Sequence, residues 1–186
     1  MAVRVQTEDF DAGAETRALQ DDTVGAIALF IGTVRGLRSD DGVTAMTLEH
    51  YPGMTESELE RIENEARARW PLEDVTIIHR VGRLFPGDQI VLVATSSAHR
   101  KAAFDATEFI MDFLKTDAPF WKAEERDGET SWVEARKSDD DARERWDVDE
   151  AGDRQKLAAT HRVRSRSDPA PDFHSRQQAA CWPPPG

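Results

Sequence analysis

The chain is poor in the residues and segments that mark several large classes of protein. Its 186 residues include one cysteine, Cys181, so an internal disulfide is impossible, and no cysteine–histidine metal spacing exists. The longest apolar run, Ala26–Ile31, is far too short to span a bilayer, and the N-terminus lacks the apolar core of a signal peptide. A reducing, cytoplasmic location with no membrane partner is therefore expected.

The common catalytic motifs are missing as well. The sequence contains no Walker loop, no GxGxxG turn, no GxSxG elbow and no HExxH helix. His50 and His79 lie within strand patterns, where an isolated histidine is more often packed and hydrogen-bonded than a ligand. We therefore expect no resident metal. A thiol mechanism would need Cys181 to return from the C-terminal region.

Basic residues are outnumbered and unevenly placed. The 24 lysines and arginines face 36 acidic residues, and the net charge of −12 lies entirely in residues 1–146, because residues 147–186 hold six acidic and six basic side chains. A nonspecific nucleic-acid binder needs a basic face, so an acidic body argues against that class. Any anionic ligand must be held by a local basic pocket.

Lysine is the scarcer basic residue, with five lysines against 19 arginines. Two of the five, Lys115 and Lys122, lie in the segment LKTDAPFWKAE at residues 114–124. The pKa of an ammonium group shifts on burial whereas a guanidinium stays protonated, so a site that transfers protons can require lysine. On this pattern alone, two solvated lysines at a helix end remain the alternative.

Hydrophobic periodicity predicts an α+β fold with the order β–β–α–β–β–α–β–β. One helix is predicted to begin at a capping box formed by Thr55 and Glu58, and the other at Ser96 or Ser97. The predicted strands are 24–34, buried on both faces, then 44–51, 75–81, 89–94 and two short strands around Asp127-Gly128.

Each predicted helix carries an apolar stripe at helical spacing. Residues 138–146 are predicted to add a final helical turn or two, and the proline-rich, aperiodic residues 147–186 to form a disordered tail. The predicted stripes are Leu59, Ile62, Ala66 and Trp70 in the first helix, and Phe104, Ile110, Met111 and Leu114 in the second.

Cationic side chains are scattered over the ends of the predicted elements. Backbone N–H groups at the start of a helix favour anions, so His99 and Arg100 make a candidate cradle for a phosphate or carboxylate. The sequence does not show whether the cations converge, so an anion pocket and unrelated surface charges both remain open. The full set is Arg35, His99, Arg100, Lys115, Lys122 and Arg136.

Over roughly residues 20–146 the chain resembles the large, catalytic subunit of molybdopterin synthase, the MoaE family. The resemblance implies an α/β-hammerhead-like two-layer domain with an additional antiparallel β subdomain, occupying residues 1–146. It also implies a homodimer that binds one small subunit at each end, giving a heterotetramer. The matching segments are FIGTVRG, TLEHYPGMTE, IHRVGRLFPGD, SSAHR, FIMDFLKTDAPFWK and WVEAR.

The resemblance also implies a reaction. The family makes the molybdopterin dithiolene by transferring sulfur to cyclic pyranopterin monophosphate from a thiocarboxylate on the C-terminal glycine of a small ubiquitin-like subunit. Because that sulfur is already an anionic nucleophile, the enzyme needs neither its own cysteine nor a resident cofactor, and supplies cations instead. The alternatives are a non-catalytic docking scaffold for the sulfur carrier and a pterin-phosphate binder with other chemistry.

Site residues follow from the same motifs. Lys115 is expected to be partly buried and to stabilise negative charge or donate a proton at the reacting carbon, and Lys122 to contact the partner's C-terminus or the intermediate. Some positions are expected to act across the dimer. Thr33 stands where some relatives have lysine, so either the affinity for phosphate is lower here or Arg38 compensates. The implied substrate-binding residues are Thr33, Val34, Arg35, His99, Arg100, Ala123, Glu124 and Arg136, with Phe30 and Met111 as weaker pocket-wall candidates that core packing would also explain.

Overall fold

Two four-stranded sheets and three helices make up the described part of the computed structural model, which comprises residues 3–35, 43–126, 129–133 and 143–146. The α+β class is confirmed, whereas β1, α1 and β5 had no counterpart in the predicted order. The elements are β1 (Val3–Gln6), α1 (Ala12–Ala18), β2 (Ala26–Thr33), β3 (Val43–His50), α2 (Met54–Arg69), β4 (Asp74–Arg80), β5 (Gly82–Leu84), β6 (Gln89–Ser97), α3 (Arg100–Thr116), β7 (Phe120–Arg126) and β8 (Glu129–Val133).

The first sheet has the strand order β1-β4-β6-β2, with β1 parallel to β4 and the other pairs antiparallel. β6 is its most buried strand, with Val91–Ser97 all buried. β2 lies at the edge, and its Leu29 is 43% exposed, so the prediction that β2 is buried on both faces was wrong. An apolar run has the same pattern in an edge strand and in a central one, because the residues of the run do not specify which strands pair with it.

The main core lies between the first sheet and helices α2 and α3. Phe109 and Ile110 of α3 are completely buried there against Leu59 and Ile62 of α2. The predicted stripes are confirmed at all positions but two: Trp70 is half-buried, and Phe104 is 64% exposed. Neither α2 nor α3 is long and apolar enough to cross a membrane, nor is any other helix among the described residues.

Helix α2 begins differently from the predicted capping box. Its N-cap is Gly53, at a φ of 84°, where glycine is favoured, and the Gly53 N–H donates to the Glu56 carboxylate at 2.6 Å. Thr55 is fully buried, and its hydroxyl accepts from the Tyr51 N–H and donates to the Pro119 carbonyl. Thr55 therefore ties α2 to the residue just before β7 rather than capping the helix.

The second sheet has the order β5-β3-β7-β8, with all neighbours antiparallel. The pairing of β7 with β8 confirms the predicted hairpin, and its turn at 127–128 lies outside the described residues. The sheets meet where His79 of β4 stacks on Phe120 of β7 at 3.7 Å, and where Val34 after β2 shares a buried cluster with Leu48 of β3. These contacts fix β7, the strand that carries Lys122.

The predicted last helical turn is present at residues 143–146 and belongs to the same compact unit, Met1–Asp147, as the sheets. Trp146 from this turn is buried in the main core. The predicted tail, residues 147–186 with Cys181, lies outside the described residues, as do Arg38 and Arg136.

Candidate functional site

Three cations stand out by their lack of a counter-ion. Across the described residues, every lysine and arginine forms an ion pair with an aspartate or glutamate except Arg35, Arg100 and Lys115. All three are exposed. In a chain with a net charge of −12, a cation without a carboxylate partner is available to an anionic ligand from outside. These three positions were all candidate site residues by sequence.

Lys122 is held by a carboxylate within its own strand. Its ammonium lies 2.5 Å from Glu124, whose other carboxylate oxygen lies 2.6 Å from Arg126. Burial alone would raise the pKa of Glu124, but the hydrogen bonds from Lys122 and Arg126 outweigh burial and lower the pKa below its ordinary value. Ala123, between them, is buried on the opposite face, so its side chain does not face the same space.

Arg126 is the member of this group that the sequence prediction missed. The alternation of Lys122, Glu124 and Arg126 along one strand was a usable signal, because residues two apart in a strand share a face. Together the three side chains form a charged row in which one carboxylate lies between two cations.

The segment Thr33–Arg35 borders the same region as Lys122. Val34 is buried, and its backbone N–H and carbonyl bond to Asp88 and Gly87, each at 2.9 Å. Val34 clusters with Leu48, which lies directly opposite Lys122 in the paired strands β3 and β7. Directly opposite residues share one face of a sheet, so Thr33 and Arg35, on either side of Val34, and Lys122 border one cluster.

Helix α3 has an N-terminus without a side-chain cap. Its N-cap is His99, whose side chain makes no capping bond, and Arg100 is its first residue. The predicted cap at Ser96 or Ser97 was wrong because both serines continue β6; the Ser97 hydroxyl donates to Pro71 and accepts from the His99 N–H. The first N–H groups of α3 thus have no side-chain acceptor at the N-cap and follow the exposed side chains of His99 and Arg100, an arrangement that suits an anion.

Lys115 lies at the other end of the same helix. It is exposed, so the expectation of partial burial was wrong for a single chain. A helix rises 1.5 Å per residue, which separates the backbones of Arg100 and Lys115 by about 22 Å. One chain therefore cannot place both side chains around one small ligand.

The first sheet shows the same division. β2 and β6 are antiparallel, with Thr33 opposite Gln89 at one end and Ala26 opposite Ser97 at the other. Arg35 follows the first end and His99 follows the second, roughly 25 Å away along the strands. The candidate residues near the two ends of β2 and β6 thus form two groups: Thr33–Arg35 with Lys122 and Glu124, and His99 with Arg100.

A family model described as "MoaE protein" matches residues 5–117 of the chain. The chain belongs to the MoaE family. The molybdopterin synthase catalytic subunit of Ralstonia nicotianae is 54% identical over 148 residues, covering 78% of this chain and 84% of that protein. The same subunit of Escherichia coli is 54% identical over 143 residues, covering 76% and 95%.

The fold of the MoaE family is matched as well. The molybdopterin cofactor biosynthesis protein E of Burkholderia multivorans aligns with a TM-score of 0.67 at 56% identity, covering 78% of this chain and 95% of that one. The two-sheet architecture described above is therefore the MoaE fold.

The remaining MoaE-derived candidates separate by burial. Met111 is buried within the main core, so core packing accounts for it, whereas Phe30 on the edge strand β2 is 37% exposed and available as a wall. Arg136 lies outside the described residues. Within the described ranges no cluster of three or more histidine, cysteine, aspartate or glutamate side chains is arranged to hold a metal ion.

Proposed function

We propose that this chain is the catalytic subunit of a molybdopterin synthase and acts in molybdenum cofactor biosynthesis in the cytoplasm. It transfers sulfur from a thiocarboxylated ubiquitin-like subunit to cyclic pyranopterin monophosphate and forms the dithiolene. The observation that carries the proposal is a set of three cations, Arg35, Arg100 and Lys115, that have no carboxylate partner among the described residues of a strongly acidic MoaE-family chain. The names of the relatives support the same activity.

The chemistry asks little of this chain beyond positive charge. The nucleophile is the partner's thiocarboxylate sulfur, so neither a cysteine nor a resident cofactor is needed. Negative charge builds on oxygen as sulfur adds to the pterin carbon, and again as water adds to the carbonyl of the resulting thioester and releases the partner with a C-terminal carboxylate. Lys115, which has no carboxylate partner in the part of the chain that the structure describes, stabilises that charge or supplies a proton, and Arg35 holds the phosphate.

Lys122 binds the C-terminus of the partner. Its ammonium is already paired with Glu124, so an incoming carboxylate-like C-terminus competes with Glu124 for it. Arg126 keeps Glu124 paired when Lys122 turns to the incoming group. The charged row thus lets Lys122 exchange one anion for another without leaving a buried carboxylate alone.

A second copy of the chain completes the pocket. His99 and Arg100 lie about 22 Å from Lys115 along α3, so they serve a pocket only if a neighbouring protomer brings them to it. A homodimer with two such pockets, each engaged by one small subunit, gives the heterotetramer. The cations then act as one group even though no single chain assembles them.

The test is product formation from purified components. The chain is incubated with the thiocarboxylated partner and cyclic pyranopterin monophosphate, and the mass of the pterin product is measured by mass spectrometry. Wild type is expected to add two sulfurs. Lys115→Ala is expected to lose the product while keeping its fold and dimer, whereas the control Arg17→Ala, at an exposed arginine of α1, keeps wild-type activity.

The docking-scaffold alternative gives a different result in the same assay. A scaffold binds the partner but yields no sulfur-containing pterin, and Lys115→Ala then changes nothing. A pterin-phosphate binder with other chemistry takes up the precursor without gaining sulfur. Either outcome would remove the sulfurtransferase assignment.

A further inference from the structure

The turn at residues 143–146 docks onto the end of α3 that carries Lys115. Trp146 is 7% exposed, and its ring meets Phe109 of α3 edge-on at 5.5 Å and Trp70 at 5.6 Å. The Trp146 carbonyl accepts a hydrogen bond from Arg69 of α2 at 3.4 Å. This contact is made by residues far from α3 in sequence and is anchored in the main core.

The turn also occupies the carboxylate of Asp112. One oxygen of that carboxylate, Oδ2, accepts a hydrogen bond from the Trp146 indole N–H at 2.8 Å and another from Arg145 at 2.6 Å. Arg145 also pairs with Glu108 at 2.8 Å. Asp112 is partly buried, with 16% of its side chain exposed, and both donors bond to the same oxygen, Oδ2.

Asp112 precedes Lys115 by three residues on the same helix. Residues three apart on a helix are neighbours, with about 5–6 Å between their Cβ atoms, so an aspartate and a lysine at that spacing can form an ion pair. Lys101 and Asp105, four apart at the start of the same helix, do pair. Within the described residues Lys115 has no such partner, and the carboxylate of Asp112 is already bonded to Arg145 and Trp146.

The carboxylate on the other side of Lys115 is occupied as well. Asp117, two residues after Lys115, accepts a hydrogen bond from Arg61 at 2.9 Å. Arg143 lies 3.0 Å from its second oxygen, in an ion pair that lacks the alignment of a hydrogen bond. Both acidic neighbours of Lys115 are thus neutralised by cations from elsewhere in the fold.

We propose that Arg145 and Trp146 are positioning residues that hold Asp112 away from Lys115 and so leave the Lys115 ammonium free for its anionic substrate. This role rests on the function proposed above, because it acts through Lys115. Without the two donors, Asp112 swings to Lys115, neutralises it and adds a negative charge beside the phosphorylated pterin.

The test uses a variant pair that separates this role from simple loss of packing. Arg145→Ala with Trp146→Phe removes both donors to Asp112 while keeping an aromatic ring in the core. We expect kcat/KM for dithiolene formation to fall about tenfold, the scale of one partly screened charge near a reacting anion. Adding Asp112→Asn to this variant is expected to return activity to within about threefold of wild type, because the amide has no charge to place on Lys115.

Stability supplies the second readout, since Asp112→Asn cannot rebuild the lost contacts. The thermal midpoint of the triple variant should stay as low as that of the double variant while its activity recovers. Arg143→Ala serves as the control, because it weakens the same turn but keeps the bonds from Arg145 and Trp146 to Asp112. Asp117 also stays bonded to Arg61 in this variant, so its activity should stay within about twofold of wild type. Recovery of activity without recovery of stability is a result that lost packing does not produce.

Two results overturn the inference: a triple variant as slow as the double, or a double variant as fast as wild type. Failure of the proposed function is a separate outcome, because wild type itself would then form no dithiolene.

Discussion

Acidification should destabilise this fold through one buried side chain, His79. Its ring is 5% exposed, stacks on Phe120 at 3.7 Å, and places Nδ1 2.9 Å from the Arg80 carbonyl, to which it donates as a neutral ring. Burial lowers the pKa of His79 to about 4, against the partial opposing effect of that hydrogen bond. The stacked pair joins the two sheets and holds the start of β7.

The size of the effect follows from linkage between protonation and folding. The unfolded chain binds a proton at His79 below its ordinary pKa of 6.5, whereas the folded chain does not until about 4. The stabilising contribution is therefore complete above the unfolded pKa and is lost as the pH falls through the interval between the two values. Between about pH 7 and about pH 5 this one group should lower the free energy of unfolding by about 2 kcal/mol.

Urea unfolding of wild type and His79→Gln measures this loss. Both proteins are compared at one concentration, because the stability of a dimer depends on concentration. Glutamine can still donate to the Arg80 carbonyl but does not titrate, so its pH dependence should be flatter by about 2 kcal/mol. Equal pH dependence in the two proteins would refute the assignment of a neutral, buried His79.

Two further changes test the charged region around Lys122. Glu124→Gln should lower the free energy of unfolding at neutral pH by about 1–2 kcal/mol, because Lys122 and Arg126 lose their shared carboxylate. The pKa of Glu124 is lowered in the folded state, so the difference between the two proteins in urea unfolding should shrink as acid protonates the wild-type side chain. A difference that stays constant with pH would contradict this role of the Glu124 carboxylate. Thr33→Lys adds a cation at the exposed end of β2 beside Arg35 and should lower the KM for the anionic precursor about threefold at low salt, an effect that high salt should remove. An unchanged KM at low salt would place Thr33 outside the phosphate site.

The helices and most strands could be predicted from the sequence, because the apolar pattern of each lies within a single segment of the chain. Leu59 and Ile62 of α2, and Ile110 of α3, are buried as the helical spacing predicts. The edge position of β2 was not predictable from its own residues, because it depends on the strand order β1-β4-β6-β2, in which β2 is the last strand. The N-cap of α3 was missed because Ser96 and Ser97 are good caps in isolation, yet strand pairing with β2 extends β6 through both.

The chemistry of the site was predictable only in part. The motifs identified Arg35, Arg100 and Lys115, and the structure adds that these three lack carboxylate partners within the described residues. That property depends on which carboxylates are occupied by other cations, as Asp112 is by Arg145. Such pairing is set by tertiary contacts between distant segments, which no local pattern encodes.

The division of the cations along α3 is tested most directly by combining two variants in one dimer. Lys115→Ala and Arg100→Ala are each expected to be inactive as homodimers. When the two variants are unfolded together and refolded as a mixture, half of the dimers pair one of each, and one of the two pockets in such a dimer has both intact residues.

We therefore expect the mixture to regain about a quarter of the wild-type rate of dithiolene formation. If Lys115 and Arg100 served one pocket within a single chain, every pocket in the mixture would lack one of them. A mixture as inactive as its two components would contradict a pocket shared between protomers.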